Sequence, residues 1–152
     1  MRIVKVSHLE AKIDDEDFER IANHNWWLLK GGYAYSQTCK NGKRTTLLMH
    51  RLVTQAPKGV EVDHINGNVL DNRKANLRLC SRSQNCSHRR SFGKLKGLYW
   101  SKNAWQAQIK NDKQHVYLGR YKDKIEAARA YDKAALELFG SFANINFPNE
   151  IT

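Results

Sequence analysis

Val62-Asp63-His64-Ile65-Asn66-Gly67-Asn68-Val69-Leu70-Asp71-Asn72-Arg73-Lys74-Ala75-Asn76-Leu77-Arg78-Leu79-Cys80-Ser81-Arg82-Ser83-Gln84-Asn85 holds most of the structural signals of this chain in one run. Residues 60–65 are apolar and β-prone enough for a strand, and Asn66-Gly67-Asn68 is a turn sequence. Residues 77–79 are expected to return antiparallel to the first strand. Ser81-Arg82-Ser83-Gln84 then fits a capping box, with Ser81 as N-cap and Gln84 at the third helical position. A helix should follow to about residue 90. The product is a β-β-α unit over about 60–91, with Asp63 and His64 on its first strand and Asn85 in the second turn of its helix.

The chemistry of those side chains points one way. Asp63 offers an anionic oxygen and Asn85 a neutral one, and hard oxygen donors suit Mg²⁺ or Mn²⁺ rather than a thiolate-type zinc site. His64, with an ordinary pKa of roughly 6.5, suits a general base near neutral pH. Neighbours on a strand face opposite sides, so Asp63 and His64 cannot share one face by simple pleating. A local bend, or metal and water on different sides of a phosphate, must reconcile them. Asn76 is placed to tie the loop through side-chain hydrogen bonds to backbone groups. Each residue alone would read as a turn former; the set at this spacing is what suggests phosphodiester hydrolysis.

Charge supports a polyanionic partner. The chain has 152 residues and a formal charge of +11. Residues 51–90 carry 8 basic and 3 acidic groups and residues 91–122 carry 7 and 1, so two adjacent segments hold the excess. A surface that tracks phosphates looks like this, although a solvated surface kept basic for solubility is the plain alternative. No apolar run approaches the ~20 residues of a membrane span, and the N-terminus lacks the apolar core of a signal peptide. Three cysteines without paired spacing (Cys39, Cys80 and Cys86) make a disulfide framework a poor reading and a reducing cytoplasm the expected setting.

Outward from the central run, residues 13–21 read as a short helix with an acidic first turn. Strands are expected over 26–29, 33–38 and 45–54, with Gly31-Gly32 and Asn41-Gly42 as turns and with Trp26 and Trp27 in the core. Ser91-Phe92-Gly93-Lys94 reads as a linker. Beyond it, strands are expected over 98–101, 105–110 and 114–121, the second placing Trp105, Ala107 and Ile109 on one face. A helix over 124–139 should be capped by Asp123 and stopped by Gly140. Its stripe of Ala128, Tyr131, Ala135 and Leu138 is expected to pack on the sheet.

Two family resemblances rest on these residues. His50-Arg51-Leu52, Asp63-His64-Ile65-Asn66-Gly67-Asn68, Asn72, Asn76-Leu77-Arg78 and Asn85 resemble the HNH endonucleases, in particular their phage-type homing branch. The resemblance implies His64 as general base, Asp63 and Asn85 as ligands of one divalent metal, Asn76 as structural, and products with a 5′ phosphate and a 3′ hydroxyl. Many relatives have His where this chain has Asn85, which leaves the choice of metal open. Relatives with a structural zinc use two Cys-x-x-Cys pairs; Cys80 and Cys86 do not match, so no such zinc is expected. His50 either touches the scissile phosphate or bridges the N-terminal sheet to the site. His88 falls one turn after Asn85 and is read as solvated or phosphate-facing.

The second resemblance covers roughly residues 94–148. Lys96-Gly97-Leu98-Tyr99, Trp105-Gln106-Ala107-Gln108-Ile109, Tyr117-Leu118-Gly119, residues 126–135 and the ending Gly140-Ser141-Phe142-Ala143-Asn144-Ile145-Asn146-Phe147-Pro148 resemble the AP2 DNA-binding domain. That implies a three-stranded sheet in the major groove backed by a helix, with Lys96, Tyr99, Lys102, Gln108, Lys110, His115 and Tyr117 facing the groove. Plant members carry mostly Arg and Trp there, so their target sequence does not transfer. On chemistry alone, Gln108 can read adenine and Lys110 guanine or phosphate. Lys94, Lys113, Arg120 and Lys122 are placed to track phosphates, as are Arg82, Arg89 and Arg90 beside the nuclease segment.

The expected fold is therefore α+β: a small N-terminal antiparallel sheet with a ββα-metal unit, then a three-stranded antiparallel sheet plus one helix. The expected division is a nuclease region at 1–92 and a DNA-binding region at 93–152. The expected function is a metal-dependent, homing-type endonuclease acting on double-stranded DNA as a monomer or homodimer, without a membrane. Two rivals stand beside it. One is a non-catalytic, sequence-specific DNA-binding regulator built on the same scaffold; the other is an RNA-binding basic protein.

Overall fold

The computed structural model describes residues 1–88, 95–111 and 114–150. Packing gathers the chain into two compact units, 1–80 and 81–152. This division follows packing; the division of roles at 92/93 is a separate matter, and the linker expected at 91–94 lies outside the described residues.

The first unit begins with a hairpin that the sequence reading lacks. Strands β1 (Arg2–Val6) and β2 (Leu9–Ile13) pair antiparallel from Arg2↔Ile13 to Val6↔Leu9. The helix expected over 13–21 divides into a 3₁₀ turn, Asp15–Asp17, and α1, Phe18–Ala22. The wholly buried Asp17 carboxylate sits 3.3 Å from Lys74 Nζ and 3.7 Å from Arg20. Strands β3 (Trp27–Leu28), β4 (Ala34–Lys40) and β5 (Lys43–Leu48) form a sheet in that order. Asn41 and Gly42 turn between the last two with positive φ, as their sequence suggests.

Two expectations fail here. The strand expected over 45–54 stops at Leu48, and Met49–Thr54 forms helix α2. Met49-His50-Arg51-Leu52-Val53-Thr54 is too short and mixed to decide between the two periods, and burial of Met49, His50 and Val53 on one helical face settles it. Arg51 then satisfies the carbonyls beyond the helix, donating to Val60 O at 2.6 Å, Pro57 O at 2.8 Å and Ala56 O at 3.1 Å. Of the tryptophan pair, only Trp26 enters the core, its indole N–H donating to Ile21 O at 2.9 Å. Trp27 is 45% exposed, since adjacent side chains of an extended segment point to opposite sides.

Strands β6 (Glu61–His64) and β7 (Leu77–Cys80) pair antiparallel, with Val62↔Leu79, Asp63↔Arg78 and His64↔Leu77 opposed. Val62 and Leu77 join Val6, Ile13, Ile21 and Met49 in the unit's core. The loop between β6 and β7 is clamped on β2: Lys12 N–H donates to Leu70 O at 2.8 Å, and Asn72 N–H donates to Lys12 O at 2.8 Å.

In the second unit, α3 (Arg82–His88) starts with the expected capping box. Gln84 N–H donates to Ser81 Oγ at 3.2 Å, and Ser81 N–H to Gln84 Oε1 at 2.9 Å. Strands β8 (Leu98–Ser101), β9 (Ala104–Asn111) and β10 (Gln114–Tyr121) make an antiparallel sheet in the order β10-β9-β8. Helix α4 (Lys124–Phe139) packs on it, with Asp123 Oδ1 accepting from Ile125 and Glu126 N–H at 2.7 and 3.0 Å. Ile109, Tyr131, Ala135 and Phe139 form this core. Leu138, expected in the packing stripe, is 42% exposed. The buried arc is rotated toward Asp132 and Phe139, whose burial replaces it. Gly97 has φ +76°, and a Cβ there would lie 1.9 Å from a Tyr131 ring carbon, so sheet and helix meet at a spot only glycine fits. Among the described residues, no helix is long and apolar enough to cross a membrane.

Candidate active site

Because β6 and β7 are in register, Asp63 and Arg78 face each other across the ladder. Arg78 Nε donates to Asp63 Oδ2 at 2.8 Å, and Nη2 lies 2.7 Å from the same oxygen. Both side chains are largely buried, at 17% and 7% exposure. A carboxylate has two oxygens and about four lone-pair sites, so this pair leaves Asp63 able to serve as a cation ligand as well.

His64, one residue on, meets a different set of partners, as pleating requires. Its Nε2 is 3.3 Å from Asn72 Oδ1. The His50 ring, on α2, stands edge-on to it with centroids 5.3 Å apart and planes at 80°. Tyr33 packs against both, at 6.0 Å from His64 and 5.4 Å from His50. Burial pushes the His64 pKa below the ordinary histidine value, against the opposing pull of Asn72, Asp63 and Asp71. Burial acts more strongly on His50, which falls to about 3 with help from the neighbouring His64 and Arg51 charges. Both imidazoles are therefore neutral at neutral pH, and a neutral imidazole is a proton acceptor.

The loop of residues 65–76 is held by side-chain amides. Asn66 N–H donates to Asn76 Oδ1 at 3.0 Å, and Asn76 Nδ2 donates to Asp71 O at 2.8 Å. Asn66 Nδ2 reaches Asp71 Oδ2 at 3.0 Å, while the Arg73 guanidinium grips both oxygens of that carboxylate at 2.7 and 2.6 Å. Asn68 N–H donates to Asn66 Oδ1 at 2.8 Å. Asp63, His64, Asn76 and His50 thus lie together in the first unit. Asn85 lies on α3 in the second unit, half-buried, its backbone N–H donating to Ser81 O at 3.0 Å.

Three members of this site escaped the sequence reading: Arg78 as a partner of Asp63, and Tyr33 and Asn72 as partners of His64. Arg78 had a signal, because pairing 77–79 with 60–65 sets it opposite Asp63. Asn72 stood in the motif without a role assigned to it, and Tyr33 had no signal, since its approach depends on how distant elements dock.

The sheet of the second unit presents a separate candidate surface. Cross-strand register aligns Tyr99, Gln106 and Arg120 in one row, Gln108 and Tyr117 in a second, and Lys110 and His115 in a third. All three rows share one face, opposite Ala107 and Ile109, which pack toward α4. The Tyr99 hydroxyl donates to Gln106 Oε1 at 2.6 Å, and Tyr117 is 58% exposed. Gln106 was not among the expected readers, although simple alternation with Gln108 marks it. Lys102 sits in the β8–β9 turn, its carbonyl accepting from Arg120. Lys96 is half-buried just before β8, and burial pushes its pKa down. Arg82 is exposed at the start of α3. Arg89, Arg90, Lys94 and Lys113 lie outside the described residues, as does the side chain of His88.

Comparison with known proteins bears on both surfaces. A family model described as HNH endonuclease matches residues 48–86. An uncharacterized HNH endonuclease, L560 of Acanthamoeba polyphaga mimivirus, is 32% identical over 139 residues, covering 86% of this chain and 70% of that protein. An AP2-like ethylene-responsive transcription factor of Arabidopsis thaliana, At1g79700, is 40% identical over 77 residues, 50% of this chain and 25% of its own length. A solved structure of the HNH homing endonuclease I-HmuI, concerning its DNA binding and cleavage, aligns at 32% identity. It covers 41% of this chain and 39% of that one, with a TM-score of 0.37.

Proposed function

The chain belongs to the HNH endonuclease family, and from that premise we propose that it is a metal-dependent endonuclease of homing type, hydrolysing phosphodiester bonds in double-stranded DNA. The observation that carries this reading is the buried, neutral His64 at the end of β6, directly beside the Arg78-held carboxylate of Asp63. A base and an anionic oxygen ligand stand on consecutive residues of a chain with charge +11.

His64 takes the proton of the attacking water at its imidazole. Asp63 and Asn85 are the residues that would hold Mg²⁺ or Mn²⁺, through side-chain oxygens that suit a hard cation. When bound, the cation supplies positive charge to the phosphate and to the leaving oxygen. Arg78 keeps the Asp63 carboxylate oriented, while Asn76 and Asn66 keep the loop from drifting relative to the strand. His50 buttresses the His64 ring from within the core. Arg82, together with Arg89 and Arg90, tracks phosphates beside the cut.

Roles divide at 92/93. Residues 93–152 form an AP2-like reader whose sheet face, with Tyr99, Gln108, Lys110, His115 and Tyr117, enters the major groove and chooses the site, Lys96 and Lys102 lying at its edge. One active site per chain gives a nick from a monomer and a double-strand cut from a dimer or two successive events. The plant relative and the aligned fold of aromatic, amide and basic side chains on one sheet face support this assignment.

The test is incubation of supercoiled plasmid with the full chain in Mg²⁺ or Mn²⁺. Relaxed and then linear DNA, abolished by EDTA, is expected. Salt-sensitive binding without cleavage in either metal would replace the nuclease with the regulator.

A further inference from the structure

Among the described residues, Asn72 is the side chain hydrogen-bonded to the imidazole of His64. A neutral imidazole has one N–H donor and one lone-pair acceptor, and the bond made by one nitrogen decides which is which. The partner of His64 Nε2 is a carbonyl oxygen, Asn72 Oδ1, at 3.3 Å. Carbonyl oxygens only accept. With the amide in this orientation Nε2 carries the hydrogen and Nδ1 keeps the lone pair; a reversed amide, donating through Nδ2, would set the opposite tautomer. His50 and Tyr33 hold the ring plane by aromatic packing at 5.3 and 6.0 Å, but ring packing does not tell one nitrogen from the other.

Asn72 is also immobile. It is wholly buried. Its backbone N–H is bonded to Lys12 O at 2.8 Å, and Lys12 pairs with Asp71 in a parallel bridge. The preceding residue, Asp71, is gripped by Asn66, Arg73 and Asn76. The reference frame for the imidazole is thus β2, nearly sixty residues upstream, carried through one amide. Moreover, Asn72 Nδ2 is buried without a hydrogen-bond partner. An unsatisfied buried donor is destabilising, and a leucine of similar size would avoid it. Stability does not explain an asparagine here; a carbonyl aimed at Nε2 does.

We infer that Asn72 is a positioning residue for catalysis, fixing the tautomer and orientation of His64 so that Nδ1 is the nitrogen that receives the proton from water. This rests on the reading of His64 as base. The test compares full-length wild type, Asn72→Leu, Asn72→Asp and His64→Ala in Mg²⁺-dependent plasmid cleavage, with ¹⁵N–¹H spectra of the His64 ring. Asn72→Leu should lose roughly 10- to 100-fold in kcat, the size expected for loss of a partner that orients a catalytic group and no larger than the general-base contribution itself, with KM changed less than about twofold. Asn72→Asp, which keeps an acceptor oxygen, should recover most of the rate. A slowly exchanging proton on His64 Nε2 should be present in wild type and Asn72→Asp. If Asn72→Leu cleaves like wild type, or the ring proton is found on Nδ1, the inference fails. Should Asn72→Leu not fold, the wild-type spectrum and the Asn72→Asp rate decide alone. If His64→Ala retains full activity, the base reading falls and the catalytic role of Asn72 with it, whereas loss of activity in His64→Ala with an unaffected Asn72→Leu overturns the role of Asn72 alone.

Discussion

An arginine and an aspartate facing each other inside a small two-stranded sheet define what this site demands of single residues. Arg78 and Asp63 are both mostly out of water, so removing one partner strands a buried charge. Arg78→Met should destabilise the first unit by about 3 kcal/mol in urea denaturation, whereas the double change Arg78→Met with Asp63→Leu should recover much of that loss. His50 gives a pH signature. Its native pKa of about 3 lies far below the ordinary 6.5, so between those values the unfolded chain binds a proton that the native one refuses. Stability should therefore fall as pH drops below about 6.5, by up to about 1.4 kcal/mol per pH unit, and be indifferent to this group above it. His64, shifted in the same direction, adds to the slope. Urea midpoints between pH 7 and 5 should flatten in His50→Phe; an unchanged slope would show that His50 already titrates freely. At this scale the sequence was informative where residue type and spacing suffice: Asp63, His64 and Asn76 stand out unaided. Asn72 is marked by the motif but not its bond to His64, and Tyr33 is not marked at all, because a ring contact is a consequence of docking, which no local pattern encodes.

Elements were legible in proportion to how local their determinants are. The boundaries of β8, β10 and α4 match the reading because alternation, an Asp cap and a terminal glycine lie within each segment. The capping box of α3 is likewise written in four consecutive residues. Helix α2 differs from the strand expected there because six residues, only three of them apolar, carry too little periodicity, and its identity is set by the core that Met49 and Val53 enter. The β1–β2 hairpin has no Gly or Pro turn signal, turning instead through Ser7 at φ +54°. A sharp test at this scale is Gly97→Ala. The added methyl would collide with the Tyr131 ring and come within 2.8 Å of Gln108 O, in a backbone conformation that L-residues avoid. Loss of about 3 kcal/mol or more is expected, seen as melting of the second unit's β-sheet signal by circular dichroism. A change below 1 kcal/mol (roughly the cost of an ordinary surface substitution) would mean that β8 and α4 do not pack as described.

For the whole molecule, Asp63 and His64 stand on one unit, and Asn85 and an amide-, aromatic- and lysine-bearing sheet face stand on the other, in a chain whose positive charge is concentrated at 51–122. Binding to duplex DNA should be strongly salt-dependent. With about six phosphates neutralised, log K should fall against log salt with a slope near −5. Replacing Lys110 with Ala should weaken binding and alter base preference if that residue reads a base edge, or lower the slope by about one if it meets a phosphate. A slope near zero would remove the polyanion from the account. The family of the chain was legible from sequence because the HNH motif is contiguous; the ring contact of Tyr33 with the two imidazoles was not.

The central claim is that His64 drives hydrolysis of DNA, and the most direct measurement is the single-turnover rate of plasmid nicking in Mg²⁺ by wild type and by His64→Ala at matched, saturating protein. Wild type should nick, and the variant should be slower by about 10²-fold or more while binding DNA with unchanged affinity. Equal rates for the two proteins would contradict the account.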